Sequence, residues 1–213
     1  MTVTHHPSAE TLGAYAAGSL DTARRLVVAS HLERCGVCRR AVGNFEAVGG
    51  ALLEDLPPTP MDADALTRLM ARLDAAPEPA TPQARPAHDM SELPACLAPY
   101  ALGRWRWIGP GLEVRPILLP QAGGARLLLL KGAPGARLPQ HSHSGEEFAT
   151  VLTGAFTHDG GRFGAGDFEE ADESVEHRPV VTPDEACICL IAIEGRVRMS
   201  GVVGALLNPF VRI

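Results

Sequence analysis

The sequence predicts a multidomain α+β chain, with an all-α amino-terminal half of four helices and an all-β carboxy-terminal half, a barrel or a sandwich. Three observations predict it. Over residues 8–74 the apolar side chains recur at the 3.6-residue period of helices. From residue 95 onward that period gives way to alternation by two, in short runs punctuated by Gly and Pro. Between them the composition shifts to Ala, scattered polar residues and Pro77, Pro79, Pro82 and Pro86, the signature of a partly extended, flexible linker. The resulting division is a helical domain at 1–76, a linker at 77–94 and a β domain at 95–213.

Each element has its own signal. Ser8 is placed to cap a first helix that carries Leu12, Tyr15 and Ala16 and ends at Gly18, and Asp21 to cap a second that runs through Leu26, Val27 and Leu32 to Cys38. A third follows on Ala41, Val42, Phe45, Val48 and Leu52, despite Gly43, Gly49 and Gly50. Pro57-Pro58-Thr59-Pro60 stops it. Asp62 then caps a short amphipathic helix in which Leu66, Leu69, Met70 and Leu73 form one apolar stripe. In the second half Trp105/Trp107, Leu127/Leu129, Phe148/Thr150/Leu152 and the run Ala186–Ile193 read as strands.

Composition narrows the function. With 46% hydrophobic residues, the 213-residue chain can fill ordinary cores. The formal charge of -6 is spread evenly, 7 basic and 9 acidic groups over residues 1–76 and 11 and 13 over residues 95–213. No basic stripe exists, which argues against direct nucleic-acid binding. No run of 18 apolar residues and no leader-like start is present, so no membrane association and a cytoplasmic location are expected. Five cysteines, arranged as a close pair, a single residue and another close pair, do not form a secreted disulfide framework.

The first close pair belongs to His31-Leu32-Glu33-Arg34-Cys35-Gly36-Val37-Cys38, an H-x3-C-x2-C pattern. On a continuous helix the three side chains would share one side. They leave one tetrahedral corner, which His6 or His5 can fill to give the closed His2Cys2 set of structural zinc; His6 is preferred because Pro7 stiffens the chain just before the Ser8 cap. A redox pair without metal, or plain packing, is the alternative; a thioredoxin-like pair, however, follows a strand, and here a helix precedes it.

The second pattern is Gly135-x5-His141-x-His143-x3-Glu147-x6-Gly154. On a strand, His141 and His143 point to one face, and Glu147 can return to the same point after a bend at Gly145. Imidazole with carboxylate suits zinc or another divalent transition ion such as Mn, Fe or Ni. Cys187 and Cys189 share a strand face; they suit core packing, or a redox role near that ion. His158, beside Asp159-Gly160-Gly161, reads as a surface turn, and the acidic run Glu169–Glu176 as a solvated loop. Cys96 has no assignment, and no residue is singled out as catalytic.

His6-Pro7, then Ala17-Gly18-Ser19-Leu20, then H-x3-C-x2-C together resemble the bacterial zinc-binding anti-sigma domain over about residues 4–74. The Gly135–Gly154 pattern resembles the first cupin motif along its whole length, and Gly164-Ala165-Gly166-Asp167 followed by His177 and Pro179 resembles the second, without its usual Pro-x-Gly step and trailing Asn. This resemblance implies His177 as the fourth ligand beside His141, His143 and Glu147. The two in series resemble the ChrR-type anti-sigma factors. That likeness implies a regulator whose helices hold an extracytoplasmic-function-type sigma factor away from RNA polymerase, and whose barrel is needed to release it under singlet-oxygen or related oxidative stress. A cupin enzyme of the dioxygenase kind, regulated by the zinc domain, is the alternative.

Overall fold

The computed structural model describes residues 2–75, 93–120 and 124–199. Most of the expected linker therefore lies outside the described residues. Among the described residues four helices occupy the amino-terminal half: α1 (Ala9–Ala16), α2 (Thr22–Arg34), α3 (Gly36–Glu54) and α4 (Ala65–Asp74). The Ser8 hydroxyl accepts the Thr11 N–H at 3.1 Å, and an Asp21 carboxylate oxygen accepts those of Ala23 and Arg24 at 2.8 and 3.1 Å. These bonds satisfy amide donors that a helix start leaves open.

Two helix expectations need correction. The helix expected to run from Asp21 to Cys38 breaks at Cys35, which adopts extended dihedrals (φ -105°, ψ 102°) and separates α2 from α3. Its sulfur accepts the Cys38 N–H at 3.4 Å and so caps α3. The residue before α4 is Asp64, not Asp62, and it makes no side-chain cap. Both aspartates instead pair with Arg68, at 2.9 and 3.1 Å.

After a 3-10 turn at Ala95–Leu97 come twelve strands: β1 (Ala101–Leu102), β2 (Arg106–Gly109), β3 (Leu112–Leu118), β4 (Arg126–Gly132), β5 (His141–His143), β6 (Glu147–Thr153), β7 (Ala155–His158), β8 (Gly161–Gly164), β9 (Phe168–Ala171), β10 (Val180–Val181), β11 (Cys187–Ile193) and β12 (Val197–Met199). All pairings are antiparallel. The main sheet runs β1-β3-β4-β11-β6-β9 with β2 also on β3, while β10-β7-β8 and β12-β5 form two smaller sheets. The half is sheet-rich as expected, but among the described residues its ladders stay in three sheets and do not join into one ring.

The central strands are apolar on both faces, which explains why Cys187–Ile193 reads as an almost unbroken hydrophobic run. Leu190 lies opposite Leu129 and Ala192 opposite Phe148, and this face packs under α2 with Leu26, Val27, Val28 and Leu32. Ile191, Cys189 and Cys187 alternate with them and face inward, beside Leu128, Ala149 and Val151. The helical half and the sheet thus share one core. The Thr150 hydroxyl adds a buried hydrogen bond to the Val27 carbonyl at 3.0 Å. Arg24 at the start of α2 pairs with Asp21 at 2.8 Å, with Glu146 at 3.0 Å and with Glu194.

Two candidate metal centres

The first cluster sits where the α2–α3 junction meets the amino-terminal segment. The break at Cys35 keeps His31 on the last turn of α2 while Cys38 enters from the first turn of α3, so the three ligands come from two helices rather than one. His6 Nδ1 lies 3.3 Å from Cys35 Sγ and 3.4 Å from Cys38 Sγ. With metal–sulfur and metal–nitrogen bonds of ordinary length, a tetrahedral zinc would hold such atoms about 3.6 Å apart. One ligand atom from each of His6, His31, Cys35 and Cys38 falls within 4.8 Å of all the others. His5 turns away: its ring stacks on Phe163 at 4.1 Å and approaches Asp167 at 3.5 Å.

The donor chemistry fits a cation. The buried His31 Nδ1–H donates to the Gly166 carbonyl at 2.8 Å, which leaves Nε2 as a bare lone pair; that atom is buried with no hydrogen-bond partner among the described residues. Burial pulls the His31 pKa down to about 4, so the ring is neutral, the ligating form. Burial, with the hydrogen bond and charge of Cys35 beside it, pushes the Cys38 thiol up to about 12. Two adjacent sulfurs therefore do not both ionise unless positive charge joins them. A dication supplies that charge.

The second cluster lies within the β half. Backbone bonds between His141 and His177, at 3.1 and 3.0 Å, draw the two sequence-distant histidines together, and β5 adds His143 two residues on. His177 Nε2 is 3.0 Å from His141 Nε2 and 3.3 Å from His143 Nε2. The Nδ1–H of His141 donates to the Pro139 carbonyl at 2.8 Å and that of His177 to Glu169 at 3.1 Å, so both rings turn an unprotonated Nε2 inward. Two bare lone pairs at that spacing repel unless a proton or metal ion lies between them, and metal–imidazole bonds at right angles would place them about 3.0 Å apart. Burial holds the His143 pKa at about 4.

Glu147 stands beside this cluster rather than inside it. Its carboxylate is 3.5 Å from Nδ1 of His143, the ring nitrogen turned away from His177. Burial, with the negative Glu169 nearby, lifts its pKa to about 8. Gly154, which closes the first motif, has φ +69°, and a Cβ there would collide with the Ala186 carbonyl and come within 2.8 Å of Cys187 Cα. The motif's last glycine is thus needed where β6 passes β11.

Two residues read from sequence as solvent-facing belong to this centre. Glu169 is buried on β9, 2.8 Å from His158 Nε2 as well as 3.1 Å from His177. Burial alone would raise its pKa, but the hydrogen bonds and charge of the two histidines win and hold it at about 2. A carboxylate behind a ligating imidazole fixes its tautomer and raises its basicity. Glu170, Asp172, Glu173 and Glu176 are exposed, as expected for the rest of the acidic run. The missed signal was alternation: Phe168 and Glu170 take one face, Glu169 and Ala171 the other.

The cluster opens onto a cavity of about 640 Å³ with apolar walls, Leu128, Phe156 and Ile191 among them. His141, Glu147, Glu169 and His177 supply its polar end. Cys187 and Cys189 also line it, their buried sulfurs 3.7 Å apart as free thiols. The hydrogen bond from Cys187, together with burial, raises the Cys189 thiol well above its usual range. Cys96 is elsewhere, against α2, with its N–H donating to Glu33 at 3.1 Å.

Comparison with known proteins places both halves together. A zinc-finger family matches residues 9–39, and the family described as the ChrR cupin-like domain matches residues 98–195. The chain is 43% identical over 220 residues to the anti-sigma-E factor ChrR of Cereibacter sphaeroides, covering 100% of both. Its fold is similar to a chain in the crystal structure of Rhodobacter sphaeroides SigE in complex with the anti-sigma ChrR, with a TM-score of 0.75, 40% identity, and coverage of 91% of this chain and 100% of that one. With the likeness running end to end over both clusters, the chain belongs to the ChrR family of anti-sigma factors.

Proposed function

We propose that this protein sequesters a sigma factor of the extracytoplasmic-function type in the cytoplasm and releases it under singlet-oxygen or related oxidative stress. The observation that carries the reading is an apolar surface left open on α3 and α4. Val48, Leu52 and Leu53 are exposed on α3, and the stripe Leu66, Leu69, Met70 and Leu73 is exposed on α4, which has no buried residue. Large apolar side chains left exposed along two helices mark an interaction site. The full-length relative is an anti-sigma factor, and the similar solved structure is a complex with SigE.

In this reading His6, His31, Cys35 and Cys38 hold a zinc ion that pins the amino-terminal segment to the α2–α3 junction. His141, His143 and His177 hold zinc or another divalent transition ion in a cupin barrel spanning 95–213, joined through the 77–94 linker to the helical domain at 1–76, and Glu147, which stands beside the three imidazoles against His143, would turn in to complete the set. Bound zinc supplies positive charge that ionises thiols and polarises any oxygen ligand. Cys187 and Cys189, facing the cavity, are candidates for a redox step of release. No helix among the described residues is long and apolar enough to cross a membrane.

The test is co-expression with an extracytoplasmic-function-type sigma factor, followed by capture and metal analysis of the complex. A stoichiometric complex carrying two ions per anti-sigma chain is expected. Failure to capture such a factor, with both ions present, overturns the proposal. The dioxygenase alternative is disfavoured because the end-to-end relative is a regulator; oxygen-dependent turnover by the iron-loaded chain, lost in His141→Ala, would revive it.

A further inference from the structure

One side chain of the amino-terminal cluster, and the backbone that leads into another, are held by the β half of the molecule. His31 donates to the Gly166 carbonyl at 2.8 Å. His6 follows Thr4 and His5, whose backbone N–H groups donate to Asp167 Oδ1 at 2.6 and 3.0 Å. The other oxygen of the buried Asp167 accepts the Gly164 N–H at 2.8 Å, so one carboxylate ties the β8–β9 turn to the segment leading into His6. The Phe168 N–H then donates to the His5 carbonyl at 3.1 Å, and the Ser8 N–H to Glu170 at 3.2 Å. Residues 4–8 thus run along β9, the last strand of the main sheet, and cover an edge that would otherwise expose unpaired backbone groups.

The same strand reaches the other centre. Glu169, the residue after Phe168, accepts from Nδ1 of His177 at 3.1 Å and fixes its tautomer. Phe168 itself meets the His31 ring edge-on at a centroid distance of 5.6 Å. Four consecutive residues, 166 to 169, therefore contact both clusters. At Gly166, φ is +94° and a Cβ would stand 2.8 Å from Val3 Cγ2, so the approach of this turn to the amino-terminal segment requires glycine.

We propose that residues 166–169 couple the two metal centres, with Asp167 as the positioning residue that holds the Thr4–His6 segment. The proposal rests on the metal reading given above for both clusters. A change in the orientation of His177 alters its bond to Glu169 at the start of β9; the neighbouring Gly166 carbonyl and Asp167 carboxylate then shift against His31 and the segment before His6. Coupling of this kind is reciprocal, so filling either site strengthens the other by the same factor.

The test measures Zn2+ affinity at the amino-terminal site by chelator competition on the full chain, in the wild type, Asp167→Ala, His141→Ala and the double variant. Asp167→Ala is expected to weaken that site roughly tenfold or more, the usual consequence of removing an outer partner of a metal ligand. His141→Ala, which disrupts only the distant cluster, is expected to weaken it about fivefold or more. In the double variant the second loss disappears, because the link is already cut. Asp167→Asn, which keeps the acceptor facing Thr4 and His5, restores part of the loss. Unchanged affinity in His141→Ala, or two losses that simply multiply, overturns the proposal. Failure of the underlying metal reading has a separate signature: a wild-type chain with fewer than two ions, or a Cys35→Ala chain that keeps both.

Discussion

The two clusters differ in how they are built and in what they leave open. The amino-terminal one combines two sulfurs and two imidazoles, three of them within eight residues at a helix junction, with all four donors within 4.8 Å of one another. The carboxy-terminal one brings three imidazoles, two from β5 and one from the segment before β10, to the end of an apolar cavity of about 640 Å³. A closed sulfur-rich set suits a structural ion, whereas an open nitrogen set beside a cavity can accept an outside ligand. The contrast teaches that one molecule can build one candidate metal site largely on local spacing and the other on tertiary assembly.

The sharpest way to break this comparison is at the closed site. Cys35→Ala or Cys38→Ala is expected to remove one zinc per chain and abolish sigma-factor capture, since structural zinc supplies on the order of 10 kcal/mol to a small domain. Metal analysis and co-purification check it, and normal capture by either variant would show that the ion is dispensable. Next in size is the core that both halves share. Leu190→Ala, at a fully buried position under α2, should cost about 2–5 kcal/mol in urea unfolding. Because α2 packs on the same cluster, helical and sheet signals should shift together; a helical transition that stays in place would divide the core in two.

Smaller effects sharpen the functional half of the contrast. Leu69→Ala on α4 should lower sigma-factor affinity by about 1–2 kcal/mol, as for a contact residue at an interface, while changing the chain's own stability by less than about 0.5 kcal/mol. Titration calorimetry and thermal unfolding separate the two. His141→Ala or Glu147→Ala should leave sigma-factor capture intact at saturating zinc and blunt release under stress, read with a reporter promoter. Loss of capture instead would assign holding to both centres.

Much of this was legible from local pattern. Ser8 and Asp21 cap the helices that their spacing announces, and His141, His143 and His177 meet as the motifs imply. The misreadings share a cause. Glu169 and His158 sit among acidic and turn residues, so composition points outward, yet a neighbouring strand and His177 enclose them. Cys35 follows an unbroken helical pattern, and the break there is decided by what its sulfur and His6 must reach.

By itself the amino-acid sequence determined the four helices, the sheet-rich second half and the residue types capable of gathering metal, because period, capping and ligand spacing are properties of neighbours along the chain. Only the tertiary structure decided that α2 would roof the sheet and that Gly166 to Glu169 would touch both clusters. Those outcomes depend on burial and on partners more than a hundred residues apart, such as His31 and Gly166, and no local pattern encodes which distant carbonyl an imidazole will meet.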